Sequence, residues 1–139
     1  MVSERAIWIT EHDMERLSKL LQDEQRPNRS LPENLKGLAE ELGRGRVVGK
    51  MEVPPDVITM NSQVRLVDLD TDEETVYTLV FPDDADIDAN KISVLAPIGT
   101  AMLGYRSGDV FEWNVPGGLR RLRVTEVLYQ PEAAGDYDL

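Results

Sequence analysis

The spacing of apolar residues changes character once along the chain, from a helical period near the N-terminus to strand-like runs beyond residue 54. Met14, Leu17, Leu20 and Leu21 form one stripe on a helix that begins after Thr10. Thr10 is placed to cap it through its hydroxyl, and Asp13 stands at the third helical position, as in a weaker capping box. Ile9 and Met14 flank this cap as a hydrophobic staple. The stripe stops near Gln25, where Arg26-Pro27-Asn28-Arg29-Ser30 breaks the helix. Pro32 and Glu33 open a second helix bearing Leu35, Leu38, Ala39 and Leu42, which ends near Gly43. Two short helices with so tight a link are expected to fold back as an antiparallel, coiled-coil hairpin.

Gly43-Arg44-Gly45-Arg46, with the later Pro54-Pro55, reads as a connector, dividing the chain into a hairpin at 1–48 and a second domain at 49–139. In that domain residues 57–59 and 64–67 are strand candidates, and 75–81 is the clearest strand. Residues 70–73 form a turn, 82–90 an acidic loop, and 92–95 a further extended stretch. A short helix is expected from Pro97 to Leu103, with Gly104 closing it. After Ser107-Gly108-Asp109 the chain forms a hairpin from 110–115 and 119–129, turning at Pro116-Gly117-Gly118. The expected fold class is therefore α+β: a helical hairpin followed by an antiparallel sheet with one short helix.

Composition narrows the function classes. The net charge is −11, all of it contributed by residues 51–139; residues 1–50 carry nine basic and nine acidic side chains. A domain of that sign is repelled by phosphate backbones; its charge either suits a basic protein surface or serves solubility alone. The absence of cysteine excludes disulfides, thiol catalysis and thiolate-bound zinc. No apolar run approaches the roughly 20 residues that span a bilayer, and no signal peptide is evident, so a cytoplasmic protein without membrane contact is expected.

Candidate chemistry is sparse. Asp84-x-Asp86-x-Asp88-x-Asn90 begins like a calcium loop, but Ala89 stands at the glycine position and Leu95 at that of the bidentate glutamate. Gly45 to Lys50 is one residue short of a phosphate loop, and Met51 replaces the magnesium-binding hydroxyl. His12 is the only histidine and falls on an exposed helical turn. On the last strand Arg121 and Arg123 share a face opposite Arg120, which fits ordinary strand-edge charge better than a local phosphate contact. No metal, cofactor or catalytic group is expected.

The stretch from Ile92 to Gly104 reads I-S-V-L-A-P-I-G-T-A-M-L-G, and Gly108-Asp109 and Val115-Pro116-Gly117-Gly118 follow it. This resembles the core of the C-terminal domain of the Gre transcription elongation factors. Residues 57–62, 79–82 and 129–137 are similar to a branch of that family described as regulators of nucleoside diphosphate kinase. The resemblance implies an FKBP-like second domain and RNA polymerase as partner, docked at the rim of the secondary channel, with DNA approached only through polymerase. Matched residue by residue, the docking surface would include Ser93, Pro97 and Ile98, with Asp86 and Asn90 from the adjoining loop. Pro97 and Ile98 either centre that contact or start the short helix and pack inward.

The hairpin tip departs from the Gre pattern. Gre factors carry an acidic pair there that helps hold a catalytic magnesium, whereas here the tip carries Arg26, Asn28 and Arg29. About 15 helical residues give roughly 22 Å, and a probe crossing a deep channel needs about twice that. A non-enzymatic regulator is expected, one that competes with Gre-type factors without stimulating transcript cleavage. Two alternatives stay open beside it: direct binding to nucleoside diphosphate kinase, and prolyl isomerisation, against which the scattered aromatics of the second domain speak. The oligomeric state is left open.

Overall fold

The computed structural model describes residues 7–24, 38–40, 42–43, 45–115 and 118–136. Its main sheet comprises β3 (Gln63–Asp68), β4 (Glu74–Val80), β5 (Lys91–Ser93), β6 (Val110–Val115) and β7 (Gly118–Tyr129), in the order β5-β4-β3-β7-β6. Strand β3 lies at the centre, antiparallel to β4 and β7, and Val115 faces Gly118 where β6 and β7 meet. Val64 and Leu66 on β3 and Leu122 and Val124 on β7 are buried, which fixes the register of the central pair, because a one-residue slip would turn each to the other face.

Four features depart from the sequence expectation. The sheet is mixed: β5 runs parallel to β4, pairing Thr78 with Lys91 and Val80 with Ser93. Two 3-10 turns, Pro82–Asp84 and Ile87–Ala89, carry the chain back compactly enough for a parallel return without a long helix. The expected short helix is present as α2 (Pro97–Met102), opened by Pro97, with Gly104 beyond it at φ +84°. A second, single-turn helix, α3 (Pro131–Ala134), follows β7. Residues 57–59 are extended but form no strand; Val57 makes one bridge to Arg106, and Ile58 N–H donates to Tyr105 O at 2.8 Å.

A fourth departure lies at the N-terminus. Ile7–Thr10 is a strand, β1, paired in parallel with Gly45–Val48, β2; the sequence suggested no strand at either place and a connector at the second. Helix α1 (Glu11–Glu24) then starts as expected, with Asp13 N–H donating to Thr10 Oγ1 at 3.1 Å. Residues 38–40 and 42–43 are helical. The expected hairpin turn, with Arg26, Asn28 and Arg29, lies outside the described residues.

One apolar core runs through these elements. Ile7, Ile9, Leu17, Leu38 and Leu42 are buried in the same cluster as Ile58, Met60, Val64, Leu79 and Met102 of the β-rich part. Trp8 N–H donates to Gly104 O at 3.2 Å, tying β1 to the end of α2.

Candidate functional site

The residues expected at a docking surface cluster at the β5 edge, though not all of them face outward. Asp86 is exposed, and its carboxylate accepts the Asp88 N–H at 3.1 Å, which caps the second 3-10 turn. The backbones of Asp86 and Lys91 exchange two hydrogen bonds, at 3.0 and 2.9 Å. Asn90 takes the left-handed conformation, φ 57°, that an amide tolerates at the end of such a turn, and its carbonyl accepts the Thr78 N–H at 2.9 Å. The loop is thus fastened to β4, and Ile87 at its crest is 82% exposed.

Ser93 ends β5 and turns the chain toward α2. Its hydroxyl accepts the Leu95 N–H at 3.0 Å and its carbonyl the Ala96 N–H, also at 3.0 Å. Gly99 explains why α2 lies so close: a Cβ there would stand 2.1 Å from the Ser93 carbonyl oxygen, which is backbone and cannot move aside. Thr100 Oγ1 donates to Val94 O at 2.6 Å, closing the same contact. Pro97 occupies the first helical position. Ile98 is buried in the core and forms part of the wall of a cavity of about 360 Å³ with Leu66, Tyr77, Leu122 and the Asp68–Arg120 pair. Asp86, Asn90 and Ser93 thus follow one another along the second 3-10 turn and β5, while Ile98 is buried in the core.

The acidic loop does not converge on a metal. Asp86 is committed to its own backbone turn, and among the described residues no three His, Asp or Glu side chains are grouped to hold an ion. Gly45–Val48 being a strand removes the phosphate-loop geometry. His12 is exposed on α1. Among the described residues, the cavity under α2 has Tyr77 as its one aromatic wall.

Sequence reasoning missed a charged junction at the base of α1. Asp13, 1% exposed, accepts the Met60 N–H at 3.0 Å through Oδ2 and pairs with Arg16 at 2.5 Å through Oδ1. Arg16 lies over the Phe81 ring, 4.7 Å from its centroid. Thr59 Oγ1 donates to Glu132 Oε1 at 2.7 Å. Burial pushes the Glu132 carboxyl above its ordinary range, although the Thr59 hydroxyl opposes this by favouring the ionised form. Nearby, the hydrogen bond from Tyr129 to the Asp136 carboxylate holds the phenol's pKa up, at about 12. No local motif announces the junction, since Asp13 and Met60 are 47 positions apart.

Comparison with known proteins identifies the family. The family model described as "Transcription elongation factor, GreA/GreB, C-term" matches residues 53–129, and the Rnk N-terminus model matches residues 5–48. The chain is 43% identical to the regulator of nucleoside diphosphate kinase of Escherichia coli K12, over 98% of both chains. It is 40% identical over 90 residues to transcription elongation factor GreA of Desulfotalea psychrophila, covering 65% of this chain and 56% of that one. A solved structure described as a prokaryotic transcription elongation factor GreA/GreB from Nitrosomonas europaea is 44% identical. It superposes with a TM-score of 0.72 over 90% of this chain and 99% of that one. The chain belongs to the GreA/GreB family and, within it, to the Rnk regulators that join this C-terminal domain to an Rnk N-terminus.

Proposed function

We propose that this protein is a non-catalytic transcription regulator that binds RNA polymerase near the secondary channel and competes there with Gre-type factors without stimulating transcript cleavage. The carrying observation is the pairing of a Gre-type C-terminal domain with a short N-terminal part. Helix α1 has 14 residues and so reaches about 21 Å. Residues 25–30 contain no carboxylate with which to hold magnesium at a tip. The division at 48/49 belongs to the same proposal: the second part docks and the first points toward the channel. The contact would be the stretch that carries Asp86, Asn90 and Ser93, with Ile98 buried in the core.

Capture of core RNA polymerase by the tagged full-length chain, repeated against an excess of a Gre factor, tests this. Saturable capture that the Gre factor displaces is expected, together with unchanged transcript lengths in halted complexes. No capture at low salt overturns the reading, and added cleavage overturns its second half. Asp86→Lys is expected to weaken capture about tenfold, because the side chain is exposed and its loop is held mainly by backbone bonds.

The name of the 43%-identical relative supports a second reading, direct binding to nucleoside diphosphate kinase. Capture of the purified kinase with no polymerase present would favour it. A null result there, with polymerase capture intact, leaves transcription as the route.

A further inference from the structure

Three segments far apart in sequence meet at the base of α1: the buried Asp13 carboxylate joins the helix to Met60, and the Thr59–Glu132 hydrogen bond joins that turn to α3. Asp13 lies in the first turn of the helix, its backbone held by Thr10. Its two oxygens serve different partners: Oδ2 accepts the Met60 N–H at 3.0 Å, and Oδ1 takes the Arg16 guanidinium at 2.5 Å. On the Met60 side, residues 59–62 form a tight turn in which Thr59 N–H donates to Ser62 Oγ at 2.9 Å. Glu132 of α3 accepts from Thr59 at 2.7 Å. Helix α3 is itself tied down, since Gln130 Nε2 donates to the carbonyls of Pro54 and Val57, both at 2.8 Å.

Apolar packing alone would not fix how the helix leaves the sheet. Contacts such as those of Leu17 with the core are non-directional and tolerate some rotation and sliding. A hydrogen bond to one backbone N–H is directional. Any slip of α1 that breaks it leaves a buried carboxylate and a buried amide short of partners. Asn at this position could accept from Met60 with its single carbonyl oxygen, but could not also pair with Arg16.

We propose that Asp13 is a positioning residue that sets the direction in which helix α1 leaves the β-rich part, acting through the Met60 N–H and the Arg16 guanidinium. The Thr59–Glu132 contact braces the turn that presents Met60. The proposal concerns the chain by itself and stands or falls without polymerase.

The chain has no cysteine, so Gln22→Cys with Thr71→Cys supplies two unique spin-label positions. Both sites are exposed, one on α1 and one on the turn after β3. The doubly labelled full chain is expected to give a narrow distance distribution. Asp13→Ala should at least double its width, Asp13→Asn should give an intermediate width, and Arg16→Met a smaller broadening. Amide shifts of the β-sheet should keep their parent values. A distribution of parent width in folded Asp13→Ala and Asp13→Asn overturns the proposal, and so does a lower melting temperature with no change in width. Should Asp13→Ala fail to fold, Asp13→Asn and Arg16→Met decide the matter: broadening in both supports the proposal, and parent width in both overturns it.

Discussion

Burial makes the Glu132 carboxyl harder to ionise in the folded protein than in the unfolded chain, and a definite pH dependence follows. The native state keeps its proton to higher pH, so stability falls as pH rises from about 4.5 through the raised folded value. Above that window the loss is constant. Glu132→Gln keeps an acceptor for the Thr59 hydroxyl and carries no charge. The variant is expected to be more stable than the parent at pH 8, by less than about 1 kcal/mol because the site is half exposed and screened. The difference should shrink below pH 4.5, as measured by urea denaturation across that range. Tyr129 gives a second titration: one tyrosine should ionise only near pH 12, and Asp136→Asn should return it toward 10.0, as read by ultraviolet absorbance. Thr10→Ala should cost about 1 kcal/mol by removing the helix cap. The cap was legible because its signal lies within four residues. Asp13 was half legible: its place at the third helical position could be read, but its partner Met60, 47 residues on, is chosen by the tertiary fold.

Elements were readable in proportion to how local their determinants are. Strands β3, β4 and β7 and the β6–β7 hairpin carry their own alternation and turn residues, and α2 is bracketed by Pro97 and Gly104. Strands β1 and β2 are only four residues each, and neither is stable without the other. Their pairing aligns Ile7 with Gly45, a contact that nothing in either segment announces. The parallel return of β5 was hidden for the same reason, since alternation reports which face is buried but not which way a strand runs. Asp86, Asn90 and Ser93 were singled out by their match to the Gre pattern alone, and the fold sets them along the second 3-10 turn and β5. That Ile98 packs inward was not legible, because a short amphipathic helix offers two faces and only the sheet decides between them. Gly99 lets α2 sit on the Ser93 carbonyl. Gly99→Ala should lift the helix from β5 and destabilise the protein by about 3 kcal/mol, the upper end for overpacking. Amide shift changes should concentrate in residues 93–100. Loss of stability with parent shifts there would remove this close contact as the cause.

At the scale of the molecule, the N-terminal strand and helix do not form a separate apolar interior. Ile7, Ile9 and Leu17 are at most 1% exposed, within the cluster that also holds Ile58, Met60 and Val64. Removing them would open that cluster to water, and restoring them alone would leave a two-stranded ribbon and a 14-residue helix, each marginal in isolation. The junction at Asp13 adds a directional bond across the same boundary. Unfolding of one part should therefore carry the other with it, in a single transition. Trp8 reports on the N-terminal part, being half-buried in β1 with the Arg46 guanidinium 4.8 Å from its ring. Trp113→Phe leaves it as the only indole. In that variant, the urea midpoint from Trp8 fluorescence should coincide with the midpoint from the far-ultraviolet signal of the sheet. An earlier Trp8 transition would mean that β1, β2 and α1 open as a unit of their own, and that the shared core contributes less than its burial implies.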